Sequence, residues 1–240
     1  MLDLINIGLG TKEITMNTYR NNARIVGVFF IIATVASIAT AIFVGFLSEP
    51  DYLANISTNE NQVLGGMFLE LIWALSVLGI PVMLFPILRK HNESLALGFY
   101  SLRFIEALMT ILYTLSLLTL LTLGKSYTNA GAPDTSTYQT IGDLLLAVRD
   151  WAFLLGPGLV FSLSALILNY QLFQTRLVPR WLSGWGFVGA AIIFVSYIMQ
   201  FYGFESLVFL FLPIALQEMV FAVWLIVKGY DQSAMASLPA

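Results

Sequence analysis

Residues 141–173 read IGDLLLAVRDWAFLLGPGLVFSLSALILNYQLF, and this stretch decides the class of the chain. It is apolar for longer than the roughly 20 residues that cross a bilayer core of ~30 Å. Within it Arg149 and Asp150 stand side by side, and Gly156-Pro157-Gly158 follows half a dozen residues later. Charges inside a span are costly and face protein or a water-filled cavity rather than lipid. Proline removes one ladder hydrogen bond and frees the carbonyl four residues earlier, here that of Phe153, so the triplet predicts a break in the helix.

Working outward, five further apolar spans flank this one. The hydropathy pattern places the six at about Ile25–Leu47, Val63–Leu88, Leu95–Leu123, Asp143–Phe173, Trp181–Tyr202 and Ser206–Val227. The composition agrees: 58% of the 240 residues are hydrophobic and 10% are Asp, Glu, Lys or Arg. A soluble domain carries about 25% charged residues, so this chain lacks the surface that a soluble globule needs. The fold class expected is therefore all-α, an integral membrane bundle of six transmembrane helices. Residues 1–23 read as a disordered polar tail with no cleaved leader, a short interfacial helix carrying Leu2, Leu4, Ile5, Ile7 and Leu9 being the alternative, 24–229 as the membrane domain and 230–240 as a second tail. Met16 offers an alternative start. The Ser-, Thr-, Asn- and Gly-rich run Gly124–Gly142 reads as an external loop.

The cations orient the bundle. Lys12, Arg20, Arg24, Arg89, Lys90, Arg176, Arg180 and Lys228 fall on one side, Lys125 alone on the other, and Arg103 and Arg149 within the spans. Basic residues accumulate on the cytoplasmic side, so both termini are expected inside. Trp181, Trp185, Tyr202 and Tyr127 stand near predicted boundaries, where aromatic anchors belong.

Several chemistries find no support. With no cysteine there is no thiolate nucleophile, disulfide or zinc–thiolate site, and the single histidine, His91, cannot form a paired-histidine metal site. No phosphate-binding glycine loop, serine-hydrolase elbow or intramembrane lysine is present, and no pattern implies a cofactor or a catalytic set. A net charge of −3 gives no sign of nucleic-acid binding. The partner the composition implies is the lipid bilayer.

What stands out are six ionisable side chains within the spans: Glu70, Arg103, Glu106, Arg149, Asp150 and Glu218. At a rise of ~1.5 Å per residue, Glu70 and Asp150 lie roughly 10 Å below the outer end of their spans and Glu218 roughly 20 Å below its own. Arg103 and Glu106 lie about 13 and 18 Å above the inner face. All six fall between the midplane and the outer third, so one shared polar cluster is expected. Arg103 and Glu106, three apart, can pair on one helix face, while Arg149 and Asp150 point about 100° apart and need separate partners. Four carboxylates face two guanidiniums, so a carboxyl is expected to stay neutral or a cation to share the site. Arg103–Glu106 and Asp150 with either arginine are the pairs expected, leaving Glu70 and Glu218 as the neutral acids. The cluster reads as a cavity for a small molecule or ion. The alternative is an accessory or sensory protein whose buried charges tie helices together. Prolines 81, 86, 157 and 213 are expected to break or bend spans two, four and six. Ala33, Ser37 and Ala41, with Gly186, Gly189 and Ala190, read as close helix packing.

The runs RDWAFLLGPG (Arg149–Gly158) and RLVPRWLSGWGFVGA (Arg176–Ala190) resemble the bacterial membrane proteins grouped as domain of unknown function 4386. ARIVGV (Ala23–Val28), LRFIEA (Leu102–Ala107) and QEMVFAVWLIVKG (Gln217–Gly229) are similar to the same family. The resemblance runs from about Asn22 to Gly229. It implies a six-span protein of the bacterial inner membrane and carries no activity with it.

Overall fold

Long apolar runs in hydrocarbon have one economical solution, a helix that satisfies its own backbone polar groups. The computed structural model describes residues 2–131, 136–205 and 207–239, with side chains from residue 17 onward except at 136 and 208. It is all-α and 88% helical, so local hydrogen bonds meet that requirement. The helices are α1 (Leu2–Phe43), α2 (Tyr52–Thr58), α3 (Glu60–Leu88), α4 (Glu93–Asn129), α5 (Ser136–Phe153), α6 (Phe161–Thr175), α7 (Arg180–Phe201), α8 (Leu212–Val227) and α9 (Gln232–Ser237). Six stretches among them are long and apolar enough to cross a membrane: Asn17–Phe43, Glu60–Leu88, Glu93–Asn129, Thr137–Thr175, Arg180–Phe201 and Phe209–Val227. Position 206, where the sixth span was expected to begin, lies outside the described residues.

Several expectations are corrected. The backbone of residues 2–16 is helical and continuous with the first span, not an irregular tail. Once a span supplies the nucleus, adding residues to its end fixes one hydrogen bond each. The expected loop Gly124–Gly142 shrinks, because α4 runs on to Asn129 and α5 begins at Ser136, and residues 132–135 lie outside the described set. Ser126 and Thr128 there do not interrupt the helix, since their hydroxyls bond the carbonyl one turn back, of Thr122 and Gly124 respectively. Pro157 does not break its span either. Residues Leu154–Val160 form a π-helical segment, whose wider turn accommodates the ring and joins α5 to α6. Pro81 and Pro86 sit inside α3. Pro213 lies in the first turn of α8, where its missing N–H has no intrahelical partner to lose. On α1 the buried small side chains are Ala23, Ala33, Ala36 and Thr40, whereas Ser37 is half-buried and Ala41 is exposed.

The chain resolves into two compact units. The first comprises Met1–Ile31, Gly79–Ser101 and Ser162–Ala240. Its core holds Val26, Phe30, Leu84, Leu88, Phe99, Leu172, Leu182, Phe221 and Leu225, with Phe30 and Phe221 edge to face at 5.3 Å. Gly27 permits a close approach here: a Cβ would stand 2.6 Å from the carbonyl oxygen of Ala222. Gly186 leaves the space filled by the Asn169 carboxamide. Gln217 in turn donates to Asn169 Oδ1 at 3.4 Å and to the Leu182 carbonyl at 3.2 Å.

Asn22 closes this unit. Its Nδ2 donates to the Met83 carbonyl at 2.8 Å, and its Oδ1 accepts from the Tyr230 hydroxyl at 3.0 Å. Burial pushes the Tyr230 phenol above its ordinary value, so the hydroxyl keeps its proton and keeps donating. Tyr230→Phe is expected to lower unfolding free energy by about 1 kcal/mol, the net worth of one hydrogen bond. Asn22→Ala is expected to cost about 2–3 kcal/mol, because it strands both a buried hydroxyl and a carbonyl. Denaturant titration in detergent micelles checks the order, and equal costs for the two variants would show that Asn22 does not bridge.

The second unit comprises Ile32–Leu78 and Leu102–Phe161. One core gathers Val44, Leu47, Tyr52, Leu53, Ile56, Val63, Leu117, Leu120 and Leu121. Helix α2 belongs to it by its apolar face, Tyr52, Leu53 and Ile56, whose spacing is helical. The Tyr52 hydroxyl donates to Asp143 Oδ1 at 2.9 Å. Burial, followed by that carboxylate, raises the phenol above its ordinary value.

Candidate functional site

The buried charges of the second unit are arranged along one face of α4. Arg103, Glu106, Thr110 and Thr114 are all at most 3% exposed, and their three- and four-residue spacing puts them in one stripe. Arg103 Nη1 donates to Glu106 Oε2 at 3.2 Å, and its guanidinium lies over the Phe161 ring, 4.9 Å from the centroid. The Thr110 hydroxyl bonds the Glu106 carbonyl at 2.9 Å, and Thr114 bonds the Thr110 carbonyl at 3.0 Å. Threonine thus continues the stripe without leaving an unsatisfied hydroxyl.

About two turns along the same helix, Arg149 of α5 meets Glu70 of α3. Arg149 Nη2 donates to Glu70 Oε1 and Nη1 lies 3.5 Å from Oε2, a two-pronged pair, while Nη1 also donates to the Tyr113 carbonyl at 2.8 Å. The guanidinium carbon lies over the Tyr113 ring, 3.4 Å from its centroid. Trp73 follows Glu70 by three residues and Phe153 follows Arg149 by four, so each helix offers an aromatic ring one turn from its charge. Those rings and Tyr113 surround one another, with centroids 6.4, 6.3 and 5.9 Å apart. Glu70 is 0% and Arg149 3% exposed. Three helices are therefore fastened at one level by a charge pair seated on an aromatic triad.

The expected single cluster is partly redrawn. Arg103 pairs with Glu106 as its spacing predicts, and Glu70, Arg103, Glu106 and Arg149 are all buried. The partner of Arg149 is Glu70, not Asp150, so Glu70 is not the uncommitted acid. Asp150 is exposed on α5, because the ~100° between successive residues turns it away when Arg149 points inward. Glu218 lies on α8 in the first unit, half-buried beside the buried Gln217. Sequence reading passed over Trp73, Tyr113 and Phe153. Their spacing of three and four residues from Glu70 and Arg149, and of ten from Arg103, was the available signal. It also passed over Asn22, Asn169 and Gln217, polar but uncharged, which a search for charge does not find.

A second feature belongs to the first unit. The turn between α6 and α7 and the segment leading into α9 enclose a cleft of about 1210 Å³. Arg176, Arg180 and Lys228 line it, together with Asp231 and Trp224. The backbone N–H of Asp231 donates to the Leu177 carbonyl at 2.9 Å and holds the two walls together.

Six helices long and apolar enough to cross a membrane, with buried ion pairs within the second unit, define a multi-pass helical membrane protein. The chain belongs to the family described as Domain of unknown function (DUF4386), whose model matches residues 25–229. Comparison with curated proteins and with solved structures finds no significant match.

Proposed function

We propose that the protein is a non-enzymatic accessory or sensory component of the bacterial cytoplasmic membrane. In this reading its buried charges fasten helices, and its contacts with anionic partners or lipid are made by the basic face of the first unit. The observation that carries it is the commitment of the Glu70–Arg149 pair. Arg149 directs its guanidinium to Glu70, the Tyr113 carbonyl and the Tyr113 ring, and Glu106 engages Arg103. Groups so engaged would have to give up these contacts to hold a ligand, and a buried charge left behind costs several kcal/mol. This favours a structural network over the small-molecule or ion site at Glu70, Arg103, Glu106, Arg149, Asp150 and Glu218.

The test is a thermal-unfolding screen of the purified protein in micelles against mono- and divalent cations and small organic anions. A ligand that binds only the folded state at 100 times its Kd raises stability by about 2.7 kcal/mol. No saturable shift that depends on the buried pairs is expected. A shift abolished by Glu70→Gln or Arg149→Gln, in variants that still fold, would establish the ligand site instead.

Orientation is part of the proposal. The first unit contains Lys12, Arg20, Arg24, Arg89, Lys90, Arg176, Arg180 and Lys228, eight of the eleven cations, and both chain ends. The positive-inside rule then puts both ends in the cytoplasm. A fluorescent protein fused after residue 240 is expected to fold and fluoresce, and alkaline phosphatase at the same place to be inactive. The reverse pattern would invert the bundle.

A further inference from the structure

Four described positions at helix ends have the left-handed backbone conformation, and three are glycines: Gly131 at φ 81°, Gly203 at 83° and Gly229 at 74°. The fourth is Arg176 at φ 57°, directly after α6. Glycine is the usual residue there because a Cβ crowds the backbone, so a long cation in this place is held against a conformational cost. Its position is maintained by the N–H of Arg176, which donates to the Leu172 carbonyl at 3.0 Å.

Arg176 lines the cleft between the α6–α7 turn and the C-terminal segment, and so do Arg180 and Lys228. Arg180 is anchored from behind: its Nε is 3.4 Å from the Phe173 carbonyl and its guanidinium lies over the Phe173 ring at 5.1 Å. The acid lining the cleft, Asp231, is engaged elsewhere. It accepts from the Ser233 hydroxyl at 2.5 Å and from the Ala234 N–H at 2.9 Å, capping α9. Those bonds, the hydroxyl first, hold its carboxyl below the ordinary carboxylate range. Three cations against one committed carboxylate leave the cleft with an excess of two positive charges at neutral pH.

The surroundings indicate where the ligand comes from. Trp181 stacks on Trp185 at 6.5 Å and meets Trp224 edge-on at 6.4 Å, and Trp224 also lines the cleft. Clustered tryptophans at the ends of spans mark the headgroup level of a bilayer. Basic pockets at that level match lipid phosphates, which guanidinium forks bind through paired N–H donors.

We propose that the cleft bounded by Arg176, Arg180 and Lys228 binds the phosphate of an anionic phospholipid headgroup. It rests on the reading above that the first unit makes the protein's anionic contacts.

The experiment uses the full chain in neutral detergent micelles and compares dioleoylphosphatidylglycerol, dioleoylphosphatidylcholine and soluble glycerol phosphate by native mass spectrometry and thermal shift. Phosphatidylglycerol is expected to remain bound and raise the unfolding temperature, and the other two are expected to do neither. Arg176→Gly is expected to weaken phosphatidylglycerol binding at least tenfold while unfolding without lipid at the same or a higher temperature, because glycine relieves the left-handed backbone. Arg180→Gln is expected to weaken binding similarly, and Lys125→Gln, in the other unit, to leave it unchanged. Equal binding of phosphatidylcholine, or full binding by Arg176→Gly, would overturn the site. Tight binding of glycerol phosphate would overturn the lipid assignment in favour of a soluble phosphate ester. A ligand acting at the buried pairs would be detected separately, by its loss in Glu70→Gln with phosphatidylglycerol binding intact.

Discussion

Replacing Arg149 with methionine is expected to destabilise the protein by about 3–5 kcal/mol, enough to deplete the folded population of a typical membrane bundle. The reason is what remains. Glu70, 0% exposed, would keep a carboxylate with no cation, and the Tyr113 carbonyl would lose its second donor. Removing both charges is a different experiment. Glu70→Leu with Arg149→Met puts apolar side chains of similar volume beside Trp73, Tyr113 and Phe153, and such exchanges of buried pairs are often neutral or stabilising. The double variant is therefore expected to recover most of the loss. Arg149→Lys should fall between, since an ammonium keeps the charge but not the two-pronged fork or the stacking on Tyr113. Chemical unfolding of the parent, Arg149→Met, Glu70→Leu, the double variant and Arg149→Lys in one detergent reads the coupling directly. Additive losses, with no recovery in the double variant, would show that Glu70 and Arg149 act separately.

Gly156 carries the second large effect. Its backbone packs against α4 so closely that a Cβ would overlap the Cβ of Met109, with the Glu106 carbonyl 3.5 Å away. Alanine would improve helix propensity by about 1 kcal/mol, but overpacking a closed contact costs about 1–3 kcal/mol, so Gly156→Ala is expected to lose on balance. Gly156→Val, with two more methyls and a stiff χ1, should reach the upper end, about 3 kcal/mol. Gly45→Ala is the comparison, because a Cβ there meets nothing within 4 Å. Unfolding curves that rank Gly156→Val with Gly45→Ala would show that α4 yields to the π-helical segment without resistance.

Span existence was readable from residues 25–227 because hydropathy over twenty residues is a sum, insensitive to any one side chain. Span ends were not. Ser126 and Thr128 suggest a loop by composition, yet each hydroxyl returns to its own helix, which composition does not register. The Gly-Pro-Gly triplet signals a local departure from α geometry, and the departure is there. The triplet alone does not say whether the departure is a break or a π turn, nor that Gly156 packs against Met109 there. At the charged residues, the pairing Arg103–Glu106 follows from spacing on one helix. The pairing Glu70–Arg149 joins residues 79 apart, and adjacency in sequence favoured the wrong carboxylate, Asp150. Helical phase separates neighbours, and only the three-dimensional arrangement says which of the two faces protein. The C-terminal helix had its signal in Asp231, a side chain suited to cap a helix, which was overlooked in a short polar tail.

The bond between Tyr230 and Asn22 spans 208 residues of sequence. A ribosome releases Asn22 some 208 residues before Tyr230, so the first span waits in the bilayer while the five that follow are made. Throughout that interval the Asn22 carboxamide can hold the Met83 carbonyl but not the phenol. Closure of this unit thus waits until Tyr230 has emerged. A quality-control protease that samples nascent membrane proteins would meet an Asn22 carboxamide not yet closed over by the phenol until Tyr230 arrives.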